Sequence, residues 1–232
     1  MWEGPYGNWG SRKHLLASLD QSLERLGVSY VDIFYHHRMD PNTPLEETMS
    51  ALASAVQQGK ALYVGLSNYD GAALEKANAI LTKWQVPFII NQNRYHMMDR
   101  TIEQNGLLTA CQQLKKGLIV FSPLAQGQLS DRYLQGIPTD SRIKKDGRYL
   151  KESMMNEEKR TCLLQLQQIA AQREESLSTM ALAWILRQKA VSSVLIGASK
   201  PSQIIENTKV LHSKPFQPDE LAQIDQILKP LL

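Results

Sequence analysis

The chain has 232 residues, 43% hydrophobic and 21% charged, with a formal net charge of +3. That length suits one large domain or two small ones, and the composition excludes a disordered chain. An excess of 26 basic over 23 acidic side chains is too small to argue for nucleic acid or an anionic membrane.

Ser11 starts the first helix, with Leu15, Leu16, Leu19, Leu23 and Leu26 at spacings of three and four and Gly27 as its stop. Tyr30–Tyr35 is rich in β-branched and aromatic residues and short enough for a buried strand. Thr43-Pro44-Leu45-Glu46 predicts a capped helix start with a capping box; Leu45, Met49, Leu52 and Val56 form its face, and Gly59 ends it. Ala61–Leu66 predicts a strand, Gly71–Trp84 a helix and Phe88–Ile90 a strand. A helix over Ile102–Lys116 leads to the strand Leu118–Phe121. Gln126–Ser153, with Gly127, Gly136, Pro138 and Gly147, reads as a long loop. Helices over Asn156–Arg173 and Ser178–Gln188, the strand Val194–Ile196, and helices over Pro201–Leu211 and Asp219–Leu231 complete the chain.

Five strands, each followed by at least one helix, predict a parallel sheet covered by helices. A doubly wound sheet and a (β/α)8 barrel both fit that rhythm. No G-x-G-x-x-G follows a strand, so the Rossmann fingerprint is absent. In both architectures the chemistry belongs at the C-terminal ends of the strands. There the sequence offers His36-His37-Arg38, Ser67-Asn68-Tyr69, Asn91-Gln92-Asn93, Phe121-Ser122-Pro123-Leu124 and Gly197-Ala198-Ser199-Lys200. Adjacent histidines point to opposite faces of a strand, so at most one faces a barrel mouth. Ser67, Asn68 and Gln92 suit an amide group on a ligand, and Phe121 offers a stacking face. Ser199-Lys200 at a helix start suits a phosphate, because free N–H groups and a cation converge there. Each of these features alone also has an ordinary reading as a turn residue or helix cap.

Six segments in order carry a resemblance: YVDIFYHHR (Tyr30–Arg38), GKALYVGLSNY (Gly59–Tyr69), NQNRYHMMDR (Asn91–Arg100), FSPLAQGQ (Phe121–Gln128), GIPTDSR (Gly136–Arg142) and VLIGASKPSQIIEN (Val194–Asn207). With them the chain resembles the aldo-keto reductases, and among these the group of the bacterial L-glyceraldehyde 3-phosphate reductases and the potassium-channel beta subunits. The resemblance implies an α/β fold, a (β/α)8 TIM barrel that binds NADPH in extended form and reduces aldehydes and ketones by hydride transfer. It makes His37 the histidine that orients the substrate carbonyl, with His36 and His96 as ordinary strand-end and loop histidines. Ser67, Asn68 and Gln92 would hold the nicotinamide carboxamide and Phe121 would stack on its ring. Ser122, Pro123, Leu124 and Gly127 would follow the pyrophosphate. Gly197, Ser199, Lys200, Gln203 and Asn207 would take the adenosine phosphates, and Arg142 would lie over the cofactor. Lys200 beside Ser199 would favour a 2′-phosphate. A small aldehyde such as glyceraldehyde 3-phosphate or methylglyoxal is the substrate implied by the group.

The same resemblance sets expectations against activity. The family's catalytic aspartate, tyrosine and lysine lie on the first three βα units, whereas this chain opens in the loop after the third strand. At roughly 30 residues per unit, on the order of 90 residues would precede it. The chain is therefore expected to be one partial barrel domain over 1–232, N-terminally truncated, with open sheet edges that invite self-association. Asp131-Arg132-Tyr133 stands where the group often has Gly-Lys-Tyr, and an acid there would repel a pyrophosphate unless Arg132 or Arg142 offsets it. A non-catalytic, NADPH-binding remnant is the alternative function, and an unrelated (β/α)8 isomerase or aldolase a distant third. Cys111 and Cys162 read as two reduced thiols of a cytosolic protein, with no metal site. The N-terminus has no apolar signal region and no run reaches the ~18 residues of a membrane span, so a small-molecule partner in the cytoplasm is the expectation.

Overall fold

A computed structural model describes residues 9–134, 136 and 155–232. Among these residues five parallel strands form one sheet in chain order, β1 (Val31–His36), β2 (Ala61–Ser67), β3 (Phe88–Arg94), β4 (Gly117–Phe121) and β5 (Val191–Val194). Helices precede, separate and follow them: α1 (Arg12–Leu26), α2 (Leu45–Gln57), α3 (Gly71–Lys83), α4 (Thr101–Gln104), α5 (Leu107–Gln113), α6 (Glu157–Gln172), α7 (Leu177–Leu186), α8 (Pro201–Thr208) and α9 (Pro218–Leu228). This is the βα order of consecutive units of a (β/α)8 barrel. The described residues form two compact units, one running to Asn93 and including Thr101–Ile119, the other comprising Arg94–Arg100 and Val120–Leu232.

In the first unit, α1 begins as its sequence predicts. The Ser11 side chain accepts from the His14 amide, and Gly27 ends the helix at φ 68°, a left-handed conformation that suits glycine. Leu15, Leu19 and Leu23 form its buried stripe, while Leu26 is exposed. Leu19 and Leu23 pack with Ala55 of α2 against Val31 and Phe34 of β1. The start of α2 differs from expectation. Its cap is Pro44 and no side chain caps it; the Thr43 hydroxyl instead donates to Asp40 at 2.8 Å. Asp40 also accepts from the Gly10 amide at 3.1 Å and the Asn42 amide at 2.9 Å. Those bonds tie the loop after β1 to the chain before α1.

Four further expectations are corrected. Asn91, Gln92 and Asn93 lie inside β3, because Ser67 and Gln92 still pair across the β2–β3 ladder. The helix expected over Ile102–Lys116 is two helices, broken at Asn105-Gly106. Gly106 turns at φ 78°, and the Asn105 carbonyl accepts from the Gly71 amide at 3.1 Å. The start of α3 is seated so closely on this turn that a Cβ on Gly71 would lie 2.5 Å from the Gly106 carbonyl. In the second unit, β5 is Val191–Val194, with Leu195 and Ile196 beyond its end, although the Leu195 amide still reaches the Val120 carbonyl at 2.8 Å. The segment expected as a long loop contains two 3₁₀ turns, Ala125–Gly127 and Asp131–Tyr133; 137–153 fall outside the described residues.

The second unit has its own core, in which Trp184, Tyr95, Leu166, Ile224 and Leu228 are buried. Arg100 and Arg187 lie 4.6 and 3.8 Å from the Trp184 ring centroid, a distance at which a cation is attracted to the indole π face. Among the described residues no helix is long and apolar enough to cross a membrane.

Candidate cofactor and substrate site

The site residues of the first unit stand at three adjacent strand ends. His37 follows β1 directly and is exposed, whereas His36, the last residue of β1, is buried. That is the opposite-face arrangement the adjacent pair requires. Partial desolvation, then the neighbouring Arg38 cation, lowers the His37 pKa, which keeps the ring neutral near pH 7. A neutral imidazole offers one N–H donor and one acceptor. Ser67 ends β2 and is buried. Asn68 follows at φ 58°, a left-handed conformation that asparagine tolerates better than most residues. Its side-chain amide donates to the His37 carbonyl at 2.8 Å and to the Ser67 hydroxyl at 3.1 Å. Its backbone amide donates to the Gln92 carbonyl at 3.0 Å. His37, Ser67, Asn68 and Gln92 are thus brought together by the ends of β1, β2 and β3.

Tyr35 belongs to the same group. It hydrogen-bonds the Gln92 side chain, and burial raises its pKa. Its ring fills the space over Gly65, where an added Cβ would lie 2.4 Å from a ring carbon. Only glycine fits beneath that ring. The sequence signal was the Gly65 interruption of an otherwise bulky strand, which marks a close approach.

The second unit holds a cavity of about 1000 Å³. Ser122, Pro123, Leu124 and Gly127 line it from the loop after β4, and Gly197, Ser199, Lys200, Gln203 and Asn207 from the segment after β5 and from α8. All nine come from the sequence-derived set. Phe121, the last residue of β4, is half-buried and is not among the lining residues. Arg142 lies outside the described residues.

The loop after β4 is strained where it borders the cavity. Ser122, Ala125 and Gln126 take φ values of 55°, 47° and 60°, and Gly127 takes 94°. Three non-glycine residues in the left-handed region cost on the order of 1 kcal/mol each or more, and such strain clusters at ligand sites. The turn is held by the Gly127 amide on the Leu124 carbonyl at 2.8 Å and by the Ser130 hydroxyl on the Gly127 carbonyl at 2.6 Å.

At the other side of the cavity, the start of α8 departs from the simple phosphate cradle that sequence suggests. The Gln203 side-chain oxygen accepts from the Ser199 and Lys200 amides at 2.7 and 3.2 Å. Two of the free N–H groups at this helix start are therefore satisfied internally. The same oxygen accepts from the Ser199 hydroxyl at 3.2 Å, so recognition of an anion falls to the Lys200 ammonium or requires Gln203 to swing away. The cavity is also lined by residues outside that set: Arg132, read from sequence only as a counter-charge to Asp131, and Ser176, Ser178 and Glu206, to which the sequence reading gave no role, are among them. Ser176 caps α7, an ordinary cap signature that hides a cavity position. Hydrogen bonds from Lys209 and Ser176 hold the Glu206 carboxyl below its ordinary pKa. Asp131 and Arg132 both line the cavity, so the acid and the base arrive together.

Among the described residues, no group of three or more His, Cys, Asp or Glu side chains converges as a metal site. Cys111 and Cys162 are both free and buried.

The aldo/keto reductase family model matches residues 1–229. L-glyceraldehyde 3-phosphate reductase of Escherichia coli, from strains O157:H7 and K12, is 51% identical over 229 residues, 97% of this chain and 66% of the relative. A putative voltage-gated potassium channel subunit beta of Schizosaccharomyces pombe is 38% identical over 94% of this chain and 65% of the relative. The crystal structure of a thermostable aldo-keto reductase in complex with the inhibitor epalrestat matches with a TM-score of 0.70 at 31% identity, over 94% of this chain and 67% of that one. The chain spans about two thirds of the length of the curated relatives it matches. On the family model, the identities and the shared fold together, this chain belongs to the aldo/keto reductase family.

Proposed function

We propose that this chain carries the cofactor- and carbonyl-binding part of an NADPH-dependent aldehyde reductase. The observation that carries the reading is the cavity of the second unit, lined by nine residues that the family resemblance assigns to the pyrophosphate and adenosine phosphates of NADPH. Family membership and the identity to L-glyceraldehyde 3-phosphate reductases support oxidoreductase chemistry on a small aldehyde, with glyceraldehyde 3-phosphate or methylglyoxal as the first substrates to try. Bound NADPH would supply the hydride. His37, neutral near pH 7, would donate its N–H to the substrate carbonyl and orient it. Ser67, Asn68 and Gln92 would hold the carboxamide, Phe121 would provide the stacking face, and Lys200 would pair with the 2′-phosphate. Arg142 belongs to the same proposal.

One observation favours a second reading, a binding module that does not turn over. Carbonyl reduction needs a proton donor tuned toward neutral pH. The two tyrosines beside the His37 group are tuned the other way, since burial raises the pKa of both Tyr35 and Tyr69.

The two readings separate in one assay. The reductase reading expects aldehyde-dependent oxidation of NADPH that falls at least ~100-fold in His37→Ala, in the range of losing an acid–base or positioning group. Saturable NADPH binding with no aldehyde-dependent oxidation selects the binding module. Oxidation that survives His37→Ala removes the role assigned to that histidine. Self-association through the sheet edges completes the proposal, β1 and β5 being the terminal strands of the sheet order; sedimentation as a monomer at all concentrations would remove it.

A further inference from the structure

Two buried side chains outside the proposed contact set tie its strand ends together. His36 precedes His37 and Tyr69 follows Asn68, and both are 1% exposed. The His36 Nδ1 lies 2.7 Å from the Tyr69 hydroxyl, with the rings edge to face at 5.9 Å. This rung joins β1 to the residues after β2 in the core. A second rung joins them beside the site, where the Asn68 side-chain amide donates to the His37 carbonyl at 2.8 Å. A third reaches β3. The Asn93 side-chain amide donates to the Tyr69 carbonyl at 3.0 Å and to the buried Asn91 side-chain oxygen at 2.8 Å. Tyr69 is thus anchored at its hydroxyl by β1 and at its carbonyl by β3.

The middle of this clamp is the strained residue. Asn68 is held at φ 58°, and a left-handed non-glycine conformation persists only where its surroundings over-determine it. Its backbone amide is fixed on the Gln92 carbonyl at 3.0 Å. Tyr69 is the next residue along, so a Tyr69 free to shift would release the Asn68 turn.

We propose that His36 and Tyr69 are positioning residues whose buried side-chain bond holds the Asn68 turn and the His37 backbone in the arrangement that the cofactor and the carbonyl require. The inference rests on the reading of His37, Ser67, Asn68 and Gln92 as contact residues. It assigns a function to two side chains that touch neither cofactor nor substrate. His36, which the sequence presents as an ordinary strand-end histidine, becomes part of the site through Tyr69.

The test is amide hydrogen exchange on the full chain, with wild type compared to Tyr69→Phe, His36→Leu and His36→Asn. Tyr69→Phe keeps the ring and removes only the hydroxyl, so it is the variant least apt to unfold. His36→Asn keeps a hydrogen-bonding atom at the δ position. The clamp predicts exchange at the Asn68 amide at least ~10-fold faster in Tyr69→Phe and His36→Leu, near wild type in His36→Asn, and unchanged at Leu19 in α1. NADPH titrated into the same proteins should show a dissociation constant raised by roughly fivefold to tenfold in the first two variants, with His36→Asn rescued. Unchanged exchange at Asn68 overturns the proposal. So does a rise at Asn68 matched by an equal rise at Leu19, because that is a global loss of stability. A response at Asn68 in a chain that binds no NADPH leaves the clamp standing and removes the cofactor reading instead, so the two failures are distinct.

Discussion

Replacing Arg173 by alanine is expected to destabilise the second unit by about 3–5 kcal/mol, the range for removing one partner of a buried ionic network. Arg173 follows α6 and is buried. Its guanidinium bonds Glu175 at 3.1 Å, both oxygens of Glu220 at 2.9 and 3.0 Å, the Ser213 hydroxyl at 3.2 Å and the Lys214 carbonyl. The Phe216 ring centroid lies 4.0 Å from its central carbon. One side chain thereby ties the end of α6 to the segment leading into α9. Glu220 also accepts from the Gln217 amide at 2.6 Å, so it caps α9 as well. Truncation would leave the largely covered Glu175 carboxylate, among the described residues, with the Ser213 hydroxyl at 2.7 Å, and a carboxylate without a cation in a desolvated place is the costly outcome. Thermal melts should show Tm lowered by roughly 10 °C. Arg173→Lys should recover little, because an ammonium cannot replace a planar fork with several fixed donors. A loss of under about 1 kcal/mol in Arg173→Ala would mean that the network is no stronger than an exposed ion pair.

Acid should destabilise the chain well before its carboxylates protonate. Burial lowers the pKa of both His36 and His96 from 6.5 to about 4. Nearby carboxylates, Asp40 for His36 and Asp99 for His96, pull the other way without offsetting it. Between pH 6.5 and about 4 the unfolded chain binds protons that the folded chain does not. The stabilising contribution is therefore whole above pH 6.5 and is lost as pH falls toward about 4. At pH 5 each histidine accounts for about 2 kcal/mol, from 1.36 kcal/mol per unit over 1.5 units. Denaturant melts at pH 7.5 and 5.0 measure the difference. The expected loss is roughly 4 kcal/mol for the two sites together, and substituting His96 by asparagine should remove about half of the pH dependence. Equal stability at the two pH values would contradict the burial of both rings. Asp40 does not confuse the experiment. Burial pushes its pKa up, but hydrogen bonds from the amides of Asn42 and Gly10 and from the Thr43 hydroxyl hold it below the ordinary carboxylate value, so it stays ionised across this range.

The fold was legible in sequence where local chemistry decides it. Ser11 and Gly27 cap α1 as their residue types require, and Asn156, the expected start of the next long helix, caps α6; α7 instead starts at Leu177 with Ser176 as its cap, ahead of the expected Ser178. What was hidden is set by tertiary contact. Gly106 breaks a helix that periodicity would continue, because the start of α3 presses on that turn. β5 contains Ser192 and Ser193, so its apolar signal sits two residues late, on Leu195 and Ile196. The polar Asn91 and Gln92 look like a loop, yet the ladder with β2 keeps them in a strand.

The candidate site divides along the same line. Residue types at strand ends marked Ser67, Asn68 and Gln92, while the family resemblance chose His37 over His36 and marked residues from Ser122 to Asn207 that line the cavity. Sequence could not show that Gln203 turns back onto the Ser199 and Lys200 amides, because that depends on a side-chain rotamer. Nor could it join His36 to Tyr69, 33 positions apart. Nor did the sequence single out Glu206, which lines the cavity and pairs with Lys209 at 2.6 Å.

The most direct test of the account is a titration of the chain with NADPH and, separately, NADH, followed by tryptophan fluorescence and by thermal melting. A ligand that binds only the folded state must raise the melting temperature. The account predicts saturable NADPH binding, a raised melt, weaker binding of NADH, and a Lys200→Ala variant whose NADPH affinity falls by roughly tenfold or more, the worth of one charge-assisted contact, with NADH little changed. An unchanged melt at saturating NADPH, or equal losses for both cofactors in Lys200→Ala, would contradict the assignment of the cavity to the 2′-phosphate end of NADPH.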